Sequence, residues 1–198
     1  MPAALILAST SPYRQALLGR LGLPFRLDAP GVNEELLAGE APAARALRLA
    51  LAKAHAVSAK HPHAWVLGSD QVADCRGRIL EKPGDARGCR AQLEFCSGRS
   101  VTFYTAAVLT RGEPPAMNQH VDRTTVRFRT VTADEIARYV ERDHPYDCAG
   151  GFRCEGLGIT LFDGVEASDP TALIGLPLIW TSRALRQAGL DPLAATQS

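Results

Sequence analysis

The residues near the start of the chain that are best suited to chemistry lie where an apolar run ends. Leu5 to Arg14 reads L-I-L-A-S-T-S-P-Y-R, so apolar residues give way to hydroxyl side chains, a proline and an arginine. The apolar run predicts a buried strand, and Ser11 with Pro12 is typical of a helix N-cap and first residue. Free N–H groups at such a junction, with Arg14 beside them, favour an anion such as phosphate. Capping alone explains every residue except Arg14, so this stretch leaves both interpretations open.

Asp70 is a second candidate, because it interrupts an apolar strand sequence. Residues 65–72 read W-V-L-G-S-D-Q-V, which is otherwise typical of a buried strand. Burying a carboxylate costs free energy unless the group is paired, protonated or bound to a metal. Asp70 is therefore either a functional group, or a residue that faces solvent on an edge strand or binds loop N–H groups.

Further charged side chains accompany Asp70 in the sequence. Lys82, in I-L-E-K-P, ends a strand predicted to pair with the Asp70 strand around the turn at 76–78. Glu34 follows a turn in P-G-V-N-E-E-L, and Lys53 lies on the helix predicted after it. Each alone is most simply a solvated surface charge. Together they supply what phosphate chemistry needs, because cations hold phosphate oxygens and carboxylates hold a divalent ion or deprotonate water.

These side chains depend on alternating strands and helices for their positions. Strands are predicted over 5–8, part of 25–31, 64–75, 79–83, 100–110, 121–130 and 159–163. Helices are predicted over 12–21, 41–60, 85–96, 132–142 and 177–188, with caps at several of their ends. The fold class is α/β, with a mixed sheet because the hairpin adds antiparallel pairing.

The composition limits the classes of function. The 198 residues are 46% hydrophobic and 22% charged, which is enough for a full core in one domain or two closely joined lobes. A net charge of +1 gives no bulk attraction to a nucleic-acid polymer or a membrane surface. No apolar run has the length of a membrane span and the N-terminus lacks a basic signal-peptide region, so we expect a cytoplasmic protein. The five cysteines form no C-x-x-C pair, which predicts reduced, structural thiols.

Seven different short motifs follow one another along the chain. They are S-T-S-P-Y-R at 9–14, V-N-E at 32–34, L-A-K-A-H-A at 51–56, G-S-D-Q-V at 68–72, E-K-P at 81–83, T-F-Y-T at 102–105 and I-G-L-P-L at 174–178. In this order and spacing the chain resembles the Maf family of nucleoside triphosphate pyrophosphatases, almost from end to end. G-S-D-Q-V and C-A-G-G-F-R-C-E-G at 148–156 resemble the versions in the 7-methyl-GTP branch rather than in the dTTP/UTP branch.

The resemblance implies a fold and an activity. The fold is a mixed, twisted α/β sheet with flanking helices, which forms two lobes around a central cleft as one domain over residues 1–198. The activity is hydrolysis between the α and β phosphates, with a nucleoside monophosphate and diphosphate as products and Mg²⁺, Mn²⁺ or Co²⁺ as the cation. The expected partner is the small nucleotide alone, and a homodimer is compatible with the sequence without being specified by it.

The resemblance also implies roles for individual residues. Asp70 is the proton acceptor, and Tyr13, Gln71 and Glu155 stand at the three positions associated with the choice of base. From the residues themselves we predict that Ser9, Ser11, Arg14, Lys53 and Lys82 bind the triphosphate, and that Glu34 and Asp70 hold the cation.

The chemistry of the base agrees with this branch. Methylation at N7 makes guanine cationic, which favours an aromatic face such as that of Tyr13 and a nearby carboxylate such as Glu155. That carboxylate accepts from the N1–H and N2–H₂ donors of the guanine edge. The chain also departs from the branch, which has Trp, Arg, Asp, Lys and Asn where this sequence has Tyr13, Gln15, Asn33, Arg153 and Thr171.

Two other functions stay open from the sequence. One is dTTP/UTP pyrophosphatase activity, which Glu155 disfavours because those bases also present carbonyl oxygens that need donors. The other is a nucleotide-binding regulator of cell division with little turnover, which would not need Asp70 as a general base.

Overall fold

A computed structural model describes residues 4–194 as a seven-stranded mixed sheet with five α-helices. The strands are Leu5–Ala8 (β1), Arg26–Leu27 (β2), Trp65–Cys75 (β3), Arg78–Leu80 (β4), Ser100–Arg111 (β5), Ala116–Phe128 (β6) and Phe162–Glu166 (β7). The helices are Pro12–Gly19 (α1), Pro42–Ser58 (α2), Ala86–Cys96 (α3), Ala133–Asp143 (α4) and Leu178–Gln187 (α5). The predicted α/β class with a mixed sheet is confirmed.

The sheet divides into two branches along one side of β3. The strand order is β2-β1-β3-β5-β6-β7, with β4 also paired to β3. β1 runs parallel to β2 and to residues 65–68 of β3, whereas β4 is antiparallel to residues 73–75 of β3. Residues 69–72 therefore pair with β5 but with no strand on the other side within residues 4–194. This opening in the sheet contains Asp70.

Alternating side chains of the long strands build cores on both faces of the sheet. On one face α2 covers Val72, Ala106 and Val108. On the opposite face one core joins β1, β3 and β5 to α1 and α5, and a second joins β3, β5 and β6 to α3 and α4. The two cores share β3 and β5, and this arrangement gives the two lobes expected from the sequence.

Several predicted boundaries are wrong. β4 is Arg78–Leu80 rather than 79–83, so Lys82 lies beyond this strand and not at its end. β6 begins at Ala116 rather than residue 121, because its pairing with β5 continues up to the turn, where Arg111 lies opposite Ala116. Residues 159–161 lie in a 3₁₀ helix rather than a strand, and the Thr160 hydroxyl donates to the Leu157 carbonyl there at 2.8 Å. Pro177 is the N-cap of α5, whose first helical residue is Leu178, and its carbonyl accepts the first helical hydrogen bond.

None of the helices in residues 4–194 combines the length and the apolar character needed to cross a membrane. All five cysteines are free thiols, as the sequence predicts.

A glycine in β3 sets how closely α2 approaches the sheet. A Cβ atom at Gly68 would lie 2.5 Å from the Ala50 carbonyl oxygen and 2.8 Å from the Ala54 Cβ. Because both contacts involve helix α2, a larger residue would displace the helix from β3. The same helix carries Lys53, and the same strand carries Asp70. Close packing at Gly68 therefore determines the distance between these two side chains.

We expect Gly68→Ala to lower the free energy of unfolding by about 1–3 kcal/mol, the usual cost of overpacking a well-filled interior. Urea denaturation at neutral pH measures this change. Gly19→Ala is the matched control, since no atom lies within 4 Å of a Cβ there, and it should be neutral or stabilising. Equal urea midpoints for the two variants would contradict the close approach of α2.

Candidate active site

The opening in the sheet leads into a cleft of about 500 Å³ between the lobes. Its walls come from the junction of β1 and α1, the loop before α2, α2 itself, β3, the segment after β4, and the loops at 147–155 and 173–175. All ten site residues predicted from the sequence line this cleft: Ser9, Ser11, Tyr13, Arg14, Glu34, Lys53, Asp70, Gln71, Lys82 and Glu155. They come from segments far apart in the sequence, and the fold brings them together.

A buried lysine joins two carboxylates in the cleft. Lys53 Nζ lies 2.6 Å from Asp70 Oδ1 and 2.6 Å from Glu34 Oε1. The side chains of Lys53 and Asp70 are 8% and 9% exposed, so this is a desolvated ion pair, whereas that of Glu34 is 55% exposed. Asp70 is therefore neither on a solvent-facing edge nor bound to loop N–H groups. Its Oδ2 has no protein partner in residues 4–194 and remains an acceptor at the cleft wall.

The charges around Glu34 keep it ionised. Partial burial favours the neutral acid, but the hydrogen bond and charge of Lys53 outweigh burial and hold the pKa of Glu34 below its usual value. Lys82 and Arg14 lower this pKa further. The cleft thus holds a carboxylate of Glu34 among three cationic side chains.

Arg14 is held by the loop before α5. Its Nε donates to the Gly175 carbonyl at 3.0 Å, and the Ser69 hydroxyl donates to the same carbonyl at 3.0 Å. Burial lowers the pKa of Arg14, and the charges of Asp70 and Glu34 act in the opposite direction. The loop carbonyl holds the Nε atom of the guanidinium, so the two terminal nitrogens of Arg14 are available at the cleft.

The side chains of the two serines between β1 and α1 accept hydrogen bonds from backbone N–H groups. Ser11 is the N-cap of α1, and its side chain accepts from the Arg14 N–H at 3.4 Å. The Ser9 hydroxyl accepts from the Ser11 N–H at 3.1 Å. The predicted capping is therefore confirmed, and it accompanies rather than excludes a phosphate role because both residues also line the cleft.

Gln71 is more tied to the protein than the sequence indicates. Its Nε2 lies 2.9 Å from the Thr105 hydroxyl and 3.0 Å from each of the carbonyls of Ala172 and Leu173. The amide N–H groups are therefore directed at protein acceptors. For a base contact Gln71 would offer its carbonyl oxygen.

Tyr13 connects the two sides of the cleft mouth. Its hydroxyl donates to Asp147 Oδ1 at 3.3 Å, and the Cys148 thiol lies 3.6 Å from that hydroxyl. Burial raises the pKa of Cys148 and of Cys154 to about 12, so neither thiol is a nucleophile at neutral pH. On the same loop, Arg153 Nη2 lies 3.3 Å from Asp143 Oδ1, and this carboxylate partly neutralises the guanidinium charge.

Comparison with known proteins identifies the family. The model of the family described as Maf-like protein matches residues 4–188. The chain belongs to the Maf family. The resemblance read from the motifs is therefore confirmed.

Several Maf relatives carry one name. A protein of Xanthomonas axonopodis pv. citri (strain 306) is 52% identical over 94% of this chain and 97% of its own length. A protein of Bordetella pertussis (strain Tohama I) is 49% identical over 98% of this chain and 96% of its own, and one of Albidiferax ferrireducens is 47% identical over 96% of each. All three are named 7-methyl-GTP pyrophosphatase.

A solved structure shares the architecture of this Maf protein. A HAM1 protein from Coxiella burnetii superposes with a TM-score of 0.51 at 16% identity, covering 93% of this chain and 99% of that one. At this identity the similarity concerns the fold alone, and it agrees with the mixed α/β sheet and flanking helices predicted from the sequence.

The donor set of the cleft fits a magnesium-type cation that arrives with phosphate. Within residues 4–194 no group of three or more His, Cys, Asp or Glu side chains is arranged to hold a metal. The two carboxylates of Glu34 and Asp70 converge on Lys53. Mg²⁺ is typically bound by one or two carboxylates, with substrate phosphates and water completing its six ligands. These two residues match that pattern.

Three cleft residues were missed from the sequence. Arg45 lies in an alanine-rich helix sequence where it reads as a surface charge, yet it is 8% exposed and lines the cleft. Asp147 has no local signal, since its contact to Tyr13 spans 134 positions. Gly175, within the I-G-L-P-L motif, has φ 130° and supplies the carbonyl that holds Arg14.

We expect Lys53→Met to lower the free energy of unfolding by about 3–5 kcal/mol, because it leaves the buried Asp70 carboxylate without its cation. Adding Asp70→Asn to Lys53→Met should recover part of the loss, which chemical denaturation of the single and the double variant measures. Lys60→Met is the control, since Lys60 pairs with Asp28 at the surface and should change stability little. A double variant no more stable than Lys53→Met would rule out the buried pair as the cause.

Proposed function

We propose that this Maf protein is a nucleoside triphosphate pyrophosphatase that hydrolyses 7-methyl-GTP to 7-methyl-GMP and diphosphate, removing a modified nucleotide from the pool. The observation that carries the proposal is the convergence of the Asp70–Lys53–Glu34 cluster and the base-selecting residues Tyr13 and Glu155 on one cleft. The shared name of relatives about half identical over nearly the whole chain supports the same substrate.

In this proposal Asp70 moves the proton. Its Oδ1 is held by Lys53, so the carboxylate has a fixed orientation and Oδ2 accepts a proton from water. The water oxygen bonds to the α phosphorus, and the bond from that phosphorus to the bridging oxygen breaks. That oxygen leaves as part of diphosphate. Asp70 then returns its proton to solvent or to the leaving diphosphate.

Cationic side chains stabilise the phosphates. Arg14, Lys53 and Lys82 bring three positive charges to the cleft, where they offset the charge that develops on the phosphate oxygens. Ser9, Ser11 and the N-terminus of α1 line the same cleft and would bind the same phosphates. Neither serine needs to release the backbone N–H it already accepts from, because a hydroxyl both donates and accepts.

Glu34 and Asp70 would hold the divalent cation, Asp70 through the oxygen that does not accept the proton. When bound there with the nucleotide, a divalent cation such as Mg²⁺, Mn²⁺ or Co²⁺ would neutralise charge on the phosphates and favour deprotonation of the attacking water. Asn33 stands beside Glu34 where the branch has aspartate, and its amide instead organises the loop, donating to Glu35 and accepting from the Glu35 N–H. We therefore assign the carboxylate role at this loop to Glu34 alone.

The base would lie between Tyr13 and the loop that carries Glu155. The Tyr13 ring is anchored through its hydroxyl to Asp147, which favours a fixed aromatic face for a cationic base. Glu155 is exposed at the cleft, where its Oε2 accepts from the Cys154 thiol at 3.4 Å and its Oε1 is available to accept from the guanine edge. Gln71 contributes an acceptor rather than the donor group already used within the protein.

The other predictions from the sequence complete the proposal. Residues 1–198 form one domain that works in the cytoplasm on a small nucleotide, without nucleic-acid polymer or membrane, and a homodimer is compatible with it. dTTP/UTP hydrolysis and a regulatory role with little turnover are the alternatives. Asp70 with its dedicated lysine favours an enzyme over a pure binder.

A panel of nucleoside triphosphates, assayed for diphosphate release with Mg²⁺, Mn²⁺ and Co²⁺, tests the function directly. We expect the highest kcat/KM for 7-methyl-GTP, and no release after the cation is chelated. Asp70→Asn should reduce kcat by about a hundredfold or more, because the amide cannot accept the proton.

Nucleotide binding by Asp70→Asn, measured by calorimetry, is the control. Retained binding would show that the binding site is intact and that only turnover is lost. A preference for dTTP or UTP would favour the other branch. Tight binding without turnover in the unmodified protein would favour a regulator, and unchanged turnover in Asp70→Asn would exclude the assigned base.

The charge of the base gives a second test. Glu155→Gln should reduce kcat/KM for 7-methyl-GTP more than for GTP, because both lose an acceptor but only the methylated ring also loses an attracting charge. Tyr13→Trp should shift the ratio the other way, by about 1 kcal/mol, because Trp offers the better cation–π face. Ratios are measured for both substrates at a pH where the carboxylate is ionised. An unchanged ratio in Glu155→Gln would show that this carboxylate does not select the methylated ring.

A further inference from the structure

Arg45 is a buried charged residue of the cleft that the proposed reaction does not use. It is 8% exposed and sits on α2, two turns before Lys53. Its Nη2 donates to the Glu34 carbonyl oxygen at 3.3 Å and to Glu81 Oε1 at 3.0 Å. Its Nε is buried and has no hydrogen-bond partner in the described part of the chain.

These contacts do little for stability. A buried N–H without a partner costs free energy, and Arg45 carries one. Its ion-pair partner Glu81 has a 58% exposed side chain, so water screens the pair. Loss of one partner of an ion pair is costly when the other is left charged and buried, and this does not apply here because Glu81 is exposed. Stability alone therefore does not account for an arginine at this position.

The two acceptors of Arg45 lie next to groups of the site. Between β2 and α2 the chain from 28 to 41 has no helix or strand, and Glu34 lies within it. Arg45 holds this loop at the backbone of Glu34 itself. Its other acceptor, Glu81, directly precedes Lys82 beyond the end of β4. Lys82 and Glu34 both line the cleft, so Arg45 joins two segments that each carry a charged group of the site.

We infer that Arg45 is a positioning residue, which joins the Glu34 loop to the Lys82 segment so that a carboxylate for the cation and an ammonium for phosphate face each other at a fixed separation. This inference rests on the proposed function, because it gives Glu34 and Lys82 those roles. Arg45 acts through its two neighbours and does not contact the reacting atoms.

Arg45→Met tests the inference, because Met fills the space without holding either partner. We expect an unchanged or higher melting temperature together with about tenfold weaker Mn²⁺ binding, the scale seen when groups that orient metal ligands are lost. Mn²⁺ binding is measured by electron paramagnetic resonance in the presence of a 7-methyl-GTP analogue with a methylene group between the α and β phosphorus atoms. The Mn²⁺ concentration for half-maximal turnover should rise by a similar factor, and Arg45→Lys should restore part of both.

Arg48→Met is the matched control. Arg48 lies one turn along α2 and donates to the next carbonyl of the same loop, that of Glu35, and to Glu40, without contacting Glu81. It should weaken Mn²⁺ binding clearly less than Arg45→Met. Equal losses of Mn²⁺ affinity in the two variants would show that Arg45 only anchors the loop, and this would overturn the inference. Mn²⁺ binding at the wild-type level in Arg45→Met would overturn it as well.

Two further outcomes are decisive. A melting temperature that falls in step with Mn²⁺ binding in Arg45→Met would make its role structural and overturn the inference. If the unmodified protein releases no diphosphate from any triphosphate with Mn²⁺, the proposed function fails. That result is distinguishable from failure of the inference alone, in which the unmodified protein is active and Arg45→Met binds Mn²⁺ normally.

Discussion

The rest of the structure depends on a single buried ammonium group between two carboxylates. Lys53 brings α2, β3 and the Glu34 loop to one point. Lys53 and Asp70 need each other because an unpaired charge in a desolvated site is costly, and the half-exposed Glu34 completes the cluster. Gly68 allows the helix to come close enough for this contact, and the division of the sheet on one side of β3 leaves room for it. Packing at Gly68, the division of the sheet and the ion pair are therefore all needed for Lys53 to reach Asp70.

A second set of constraints acts through the loop before α5. The Thr171 hydroxyl lies 2.6 Å from Asp169 Oδ1 and accepts from the Leu178 N–H at 2.9 Å, while Asp169 Oδ2 accepts from the Ile179 N–H at 2.6 Å. These bonds fix the loop to the start of α5. Its carbonyls are then presented to the cleft, where Gly175 holds Arg14 and Ala172 holds Gln71. Thr171, one of the departures from the branch, thus has a defined role in closing this loop.

The sequence predicts what depends on local patterns and misses what depends on register. The apolar run around Asp70 and the Ser-Pro junction predict β1, β3 and the cap of α1 because their signals lie within a few residues. The opening beside residues 69–72 arises only when β1 and β4 pair with different parts of β3, which no local pattern encodes. Gln71 illustrates the same limit, since the carbonyls that occupy its amide lie about a hundred positions away. For Ile159 to Leu161, β-branched and apolar residues predict a strand, but the turn-closing bond of Thr160 prevails.

The four-residue opening in β3 also bears on solubility. A free strand edge with unpaired backbone groups is a template for the addition of a strand from another molecule, which leads to aggregation. Here the exposed part of the edge is bounded by β1 at Gly68 and by β4 at Ala73. The commonest strand length is about five or six residues, so four unpaired residues between two occupied stretches offer a foreign strand only a short template. The paired stretches on either side thereby limit the addition of another polypeptide chain at this edge.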